Sequence, residues 1–125
     1  MKALIPLTLA FALCAAAHAR AECVYPTAPA AIPDGSTATR DQMIAAKHDF
    51  DRFNGEMNVY LDCIKLETDT ITPKDPSKLT ADEKKKLDQQ QKILAQKNNA
   101  AVDDLQAVVG RFNEQLKIFK AKQKS

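Results

Sequence analysis

Residues 43–64 read MIAAKHDFDRFNGEMNVYLDCI, and this stretch decides the fold. Met43, Ala46, Phe50, Phe53, Met57, Tyr60 and Ile64 recur at spacings of 3, 4, 3, 4, 3 and 4. Such spacing puts every one of them on the same face of an α-helix. Just upstream, Thr39-Arg40-Asp41-Gln42 forms a capping box, in which the Thr39 hydroxyl accepts from the Gln42 amide and the Gln42 side chain reaches back. Asn54-Gly55 is discordant, since that dipeptide also makes hairpin turns. The apolar register runs through it without a slip. The spacing therefore predicts one helix over about 39–69, with the glycine costing about 1 kcal/mol.

Downstream, the stretch from Thr68 to Lys78 breaks the pattern, and Pro73, Asp75, Pro76 and Ser77 mark a connecting loop. Thr80-Ala81-Asp82-Glu83 is a second capping box. Leu87, Leu94, Ala101, Leu105, Val108, Phe112, Leu116 and Phe119 then share a broad stripe, which predicts a second helix over about 81–121. Gln91 and Asn98 fall on the same stripe. Asn98 is either a stripe-edge residue facing water or a buried amide that sets register. Asn98-Asn99 and Gly110 are the places where this helix could break. Lys117, Lys120, Lys122 and Lys124 suit the negative end of its dipole.

Upstream, residues 22–38 hold Pro26, Pro29 and Pro33, so the chain there is extended. Ile32-Pro33-Asp34-Gly35 is a turn signal, in which proline presets one φ and glycine permits a positive one. The expected fold is all-α: an antiparallel two-helix hairpin over 39–125, preceded by a proline-rich arm. Pairing outward from the loop puts Ile64 near Leu87, Met57 near Leu94, Phe50 near Ala101 and Met43 near Val108. Val24 to Ala38 spans up to roughly 46 Å as polyproline II. That is enough to run antiparallel along the first helix, whose cap lies roughly 36 Å from Cys63. Gly55, Val59 and Cys63 would flank the arm, with Gly55 allowing close approach and Tyr25 and Ile32 supplying apolar contacts.

The first 21 residues have the form of a secretory signal, removed before folding. Lys2 supplies the positive start, Ala3 to Ala17 is apolar, and small residues favour cleavage after Ala21 or Ala19. Cys14 offers a lipid-attachment alternative that Leu13 fits badly. The apolar run is too short to span a bilayer, which takes roughly 20 residues, and no later segment is apolar enough for a membrane span. The whole chain carries a formal charge of +2. Loss of Lys2 and Arg20 leaves 16 basic and 16 acidic residues. Residues 22–73 carry 4 basic and 9 acidic groups, and residues 74–125 carry 12 and 7. Two elements of opposite sign side by side attract each other.

Only Cys23 and Cys63 remain after the signal. Two cysteines in an oxidising compartment most simply form one disulfide; the competing reading is a pair of buried or intermolecular thiols. Cys23-x-Tyr25-Pro26, Ile32-Pro33-Asp34-Gly35, Met43-x-x-Ala46 and Tyr60-Leu61-x-Cys63 together resemble a group of small uncharacterised exported proteins of Gram-negative bacteria. The likeness covers roughly residues 22–67. It implies export to the periplasm or cell exterior and a Cys23–Cys63 bridge, and it carries no chemistry.

Several function classes find little support. Three glycines are too few for a glycine-rich phosphate cradle, and two histidines too few for most histidine-built sites. His18 leaves with the signal, and His48 lies between Lys47 and Asp49 at a water-facing position. Asp49 and Asp51 point to different sides of a helix. Ser36, Ser77 and Ser125 have no neighbouring base. The run Lys84-Lys85-Lys86 sits among Asp82, Glu83 and Asp88 as a solvated face. The expectation is no catalytic, cofactor or metal site, and no nucleic-acid stripe. What remains is a non-catalytic helical interaction module.

Pairing from the loop exhausts helix one near Phe112, so Leu116, Ile118 and Phe119 would overhang without opposite residues. Phe112, Leu116, Ile118 and Phe119 are thus the expected interaction face, for a partner helix or a second copy. The alternative is an anionic envelope surface held by Lys117, Lys120, Lys122 and Lys124.

Overall fold

The computed structural model describes residues 22–124; residues 1–21, expected to be a secretory signal, lie outside the described residues. Two helices carry the architecture, α1 over Arg40–Ile71 and α2 over Ala81–Lys122. Both capping boxes form. Thr39 Oγ1 accepts from the Gln42 amide and Thr80 Oγ1 from the Glu83 amide, while each glutamine or glutamate accepts back from its cap amide. Neither Gly55 nor Asn98-Asn99 nor Gly110 interrupts a helix. A Cβ at Gly55 or Gly110 would meet nothing within 4 Å. Gly55→Ala and Gly110→Ala are therefore each expected to stabilise the fold by about 1 kcal/mol, read as a higher urea midpoint at unchanged slope.

The helices pack antiparallel. Met43, Ala46, Phe53, Met57, Tyr60 and Ile64 of α1 are buried, as are Leu94, Ala101, Val108, Phe112 and Phe119 of α2. The pairing, however, is shifted from that expected. Phe50 stacks on Phe112, with ring centroids 4.6 Å apart and planes 7° apart, instead of lying near Ala101. Met43 clusters with Phe119 and Ala38 instead of facing Val108. Both partners lie eleven residues further along α2 than pairing outward from the loop places them.

The loop supplies the cause. Residues 72–80 do not turn back tightly but run alongside the first turns of α2. Asp75 caps a short 3-10 turn, Pro76–Lys78, accepting from the Ser77 amide. Pro73 and Leu79 lie with Leu87 around one hollow, and the Gln91 amide reaches Thr72 Oγ1 at 3.3 Å. Helix α2 therefore projects beyond the loop-side end of α1. Its far end is paired, and the expected overhang at Leu116, Ile118 and Phe119 does not exist.

The arm is the third layer. Cys23 and Cys63 are joined by a disulfide, with Cα atoms 5.7 Å apart. The Tyr25 ring meets Tyr60 edge-on at 4.9 Å, and Ile32 packs on the main core cluster. Asp34 then closes a turn: its carbonyl accepts from the Thr37 and Ala38 amides, and its carboxylate from the Ser36 amide and hydroxyl. The two Ser36 bonds hold the Asp34 carboxyl below its ordinary pKa.

Gly35 has no positive φ. Its role is close approach, because a Cβ there would stand 2.1 Å from the Gln115 carbonyl oxygen. The close approach expected at Gly55 thus occurs at Gly35, and against α2 instead of α1.

Candidate functional surface

The arm covers one side of the helix pair. Its fixed points are Cys63 on α1, and Asp104 and Gln115 on α2. The Gly35 amide donates to Gln115 Oε1 at 2.8 Å, and the Tyr25 hydroxyl to Asp104 Oδ2 at 2.6 Å. An α-helix advances about 100° per residue, which places Asn54 and Leu61 on the flank of α1 away from Cys63. By the same rotation Val102 and Val109 lie on the flank of α2 away from Asp104. This second side has no arm. Along it Phe50 and Leu61 of α1, and Val102, Leu105, Val109 and Leu116 of α2, are only half-buried. They form an open apolar seam between the helices. Asn54, Gln91 and Asn98 are half-buried beside it, so the seam has amide edges.

At the chain-terminal end the seam runs into a groove of about 470 Å³. Met43, Phe112 and Phe119 are its buried apolar members, and Arg40, Lys47 and Gln123 stand on its rim. A separate apolar spot lies on the outer face of α1, where Val59 and Leu66 are 70% and 67% exposed on either side of Cys63.

The structure divides the residues expected to form an interaction face. Phe112 and Phe119 are buried in the hairpin, where with Met43 they line the groove, instead of overhanging it as expected. Leu116 belongs to the seam, and Ile118 is 37% exposed. The four C-terminal lysines are also divided. Lys117, Lys120 and Lys124 share one hollow with Asn113 and Leu116. Lys122 faces the arm turn instead, where its charge helps hold the Asp34 carboxyl low. His48 and Asp49 are exposed on α1, and Asp51 pairs with Lys47 at 2.6 Å. Asn98 sits half-buried on the seam edge.

Val102, Leu105 and Val109, the centre of the seam, were not singled out from sequence as a separate surface. A signal for them exists: Asn98, Val102, Leu105, Val109, Phe112 and Leu116 recur at spacings of 4, 3, 4, 3 and 4. This second heptad stripe overlaps the first and widens the apolar arc of α2 beyond what one partner helix covers.

One titratable group is tied to the arm's seat. Burial, followed by the hydrogen bond and the charge of Asp104, raises the Tyr25 phenol from 10.0 to about 12. The folded state favours the neutral phenol. Its contribution is complete below the unfolded pKa and is lost as pH rises through about 12. In a Tyr60→Phe protein, Tyr25 is the sole remaining tyrosine. Phenolate absorbance there is expected to titrate above 10.0, and to fall partway back when Asp104→Asn is added, burial still holding it up.

Among the described residues no group of three or more His, Cys, Asp or Glu side chains is placed to hold a metal ion. No helix among them is long and apolar enough to cross a membrane. The disulfide is compatible with an oxidising compartment. No protein-family model, curated protein or solved structure matches the chain.

Proposed function

We propose that the protein is a non-catalytic helical interaction module of the periplasm or cell exterior, engaging a partner helix along the open seam. The observation that carries this reading is the asymmetry of the helix pair. One side is sealed by a disulfide-pinned arm, while the other leaves a line of half-buried Phe, Leu and Val side chains edged by amides. An apolar centre with a polar edge is the composition of a protein-contact surface. Export rests on the form of residues 1–21 and on the bridge, which gives the small core a covalent hold in an oxidising compartment.

The test is in-cell photocrosslinking from a photoreactive residue at Val102 or Val109, with Val59 on the outer face of α1 as the comparison site. Adducts of defined mass from the seam, and none from Val59, are the expected result. Adducts from neither seam position would defeat the reading.

A second reading is favoured by the shared hollow of Lys117, Lys120 and Lys124 beside Leu116. Three cations next to an apolar side chain suit an anionic envelope surface. Under this reading the protein co-sediments with phosphatidylglycerol vesicles at low salt and loses most of that binding in Lys117→Gln/Lys120→Gln/Lys124→Gln. Binding that ignores both salt and these substitutions would exclude it.

A further inference from the structure

We propose that the open seam binds one acidic amphipathic helix of a partner protein, laid between α1 and α2 as the third helix of a bundle, with its carboxylates against basic side chains on both rims. This rests on the seam being the interaction surface, and it names the chemistry of the partner.

The sorting of charge around the helices carries the argument. Helical rotation turns Asp49, Glu56 and Glu67 of α1 toward the arm flank that holds Cys63. It turns Arg40, Lys47 and Lys65 toward the seam flank that holds Asn54 and Leu61. On α2 it sets Lys84 and Lys120 in line with Val102 and Val109, with Lys117 and Lys124 a step further round. The hollows agree with this placement. Arg40 and Lys47 border the groove over Met43, Phe112 and Phe119, and Lys117, Lys120 and Lys124 surround Leu116. The charged positions next to the seam are thus basic on both helices. Asp51 and Asp69 lie a step further round α1, where they pair with Lys47 at 2.6 Å and Lys65 at 2.8 Å. Asp88 is likewise a step further round α2. A seam with two basic rims sets like charges against each other in a second copy of itself, and it attracts an acidic surface.

Shape selects a helix. Phe50, Leu61, Val102, Leu105, Val109 and Leu116 are half-buried in the trough between two helices. A flat bilayer surface reaches the lysines and not this floor. A single helix, about 10–12 Å across, lies in such a trough and reaches both. From Asn98 to Phe119 the seam runs roughly 32 Å, the length of about three heptads of helix. On the docked helix, apolar residues at positions a and d would meet the floor, and Glu or Asp at e and g would meet the two rims.

Two synthetic three-heptad probes test the proposal. Both carry Leu at a and d and Ala or Gln at b, c and f; one has Glu at every e and g position and the other has Lys. Like charges at e and g keep each probe from pairing with itself. Binding to the oxidised chain beginning at Glu22 is followed by fluorescence anisotropy. The Glu probe is expected to bind roughly 30-fold more tightly than the Lys probe at low salt, and to lose roughly 10-fold in affinity at about 0.5 M salt. Lys47→Glu/Lys65→Glu/Lys120→Glu is expected to reverse the preference. Arg52→Glu/Lys85→Glu/Lys92→Glu makes the same change of net charge on faces turned away from the seam, and is expected to shift the ratio by less than roughly threefold.

Equal binding of the two probes to wild type would overturn the proposal, and that comparison needs no variant to fold. A preference that survives reversal of the seam lysines, or that the outer-face variant removes as well, would also overturn it. Sedimentation showing a dimer that loses its association in Val102→Glu/Val109→Glu would replace the partner helix with a second copy. Capture by phosphatidylglycerol vesicles without binding of the Glu probe would replace it with a membrane surface. If the Glu probe fails while photocrosslinking from Val102 or Val109 in cells yields adducts of defined mass, the acidic partner falls and the interaction reading stands. Failure of both removes both.

Discussion

Removing the Cys23–Cys63 bridge, by Cys23→Ser/Cys63→Ser, is expected to lower stability by about 4 kcal/mol while leaving most of the far-UV helicity in place. The bridge closes a loop with a sequence separation of 40, and the chain-entropy relation for a loop of that length yields about this value. The effect acts mainly on the unfolded ensemble, which gains freedom when the link is gone. The native helices do not depend on it, because their capping boxes and buried stripes lie within residues 39–122. The arm also keeps three seats of its own, the Tyr25–Tyr60 contact and the Tyr25–Asp104 and Gly35–Gln115 hydrogen bonds.

Urea unfolding followed by circular dichroism checks the expectation. The midpoint should fall, and the slope should rise as the freed denatured chain exposes more surface. A loss well under 1 kcal/mol would mean that the bridge does not restrain the unfolded chain. Collapse of helicity in the absence of urea would mean that the helix pair cannot stand without its arm.

Gly35→Ala is expected to cost about 3 kcal/mol, at the upper end of the range for overpacking. The added Cβ would lie 2.1 Å from the Gln115 carbonyl oxygen and 2.8 Å from the Phe119 amide nitrogen. Both are backbone atoms of α2, so no side chain can rotate out of the way. The turn must lift off instead, which breaks the bond from the Gly35 amide to Gln115 and uncovers the cluster of Ala38, Met43 and Phe119. Gly55→Ala, the same change where nothing lies within 4 Å, should move stability in the opposite direction. Paired urea midpoints for the two variants test the assignment, since a Gly35→Ala protein as stable as wild type would contradict the close approach. Amide exchange at the C-terminal turns of α2 should quicken in Gly35→Ala alone.

Both helices, both capping boxes and the extended arm were legible in the amino-acid sequence. Each depends on local chemistry: apolar spacing near 3.6, a Thr followed three residues later by Gln or Glu, and proline's fixed φ. The bridge was legible too, because only two cysteines stand beyond residue 21. The register between the helices was not. The observed pairing differs from the expected one by eleven residues, and eleven residues are just over three turns of helix. Such a shift returns the same stripe to the same face, so periodicity alone accepts either alignment.

The decision lay with the path of residues 72–80 and with bulk. The observed register stacks Phe50 on Phe112 and buries Phe119 beside Met43, whereas the expected one sets Phe50 against Ala101 and leaves Phe119 in water. The surface assignments followed the register. Phe112 and Phe119 moved from a presumed contact face to the interior, and Val102, Leu105 and Val109 emerged as the open seam. Which flank stays uncovered depends on where the arm lies. That is a contact between residues about 80 apart in the chain, Tyr25 with Asp104 and Gly35 with Gln115, and no local pattern encodes it. Local sequence thus determined the elements and their apolar faces, and tertiary packing alone decided how far they slide and which side remains free.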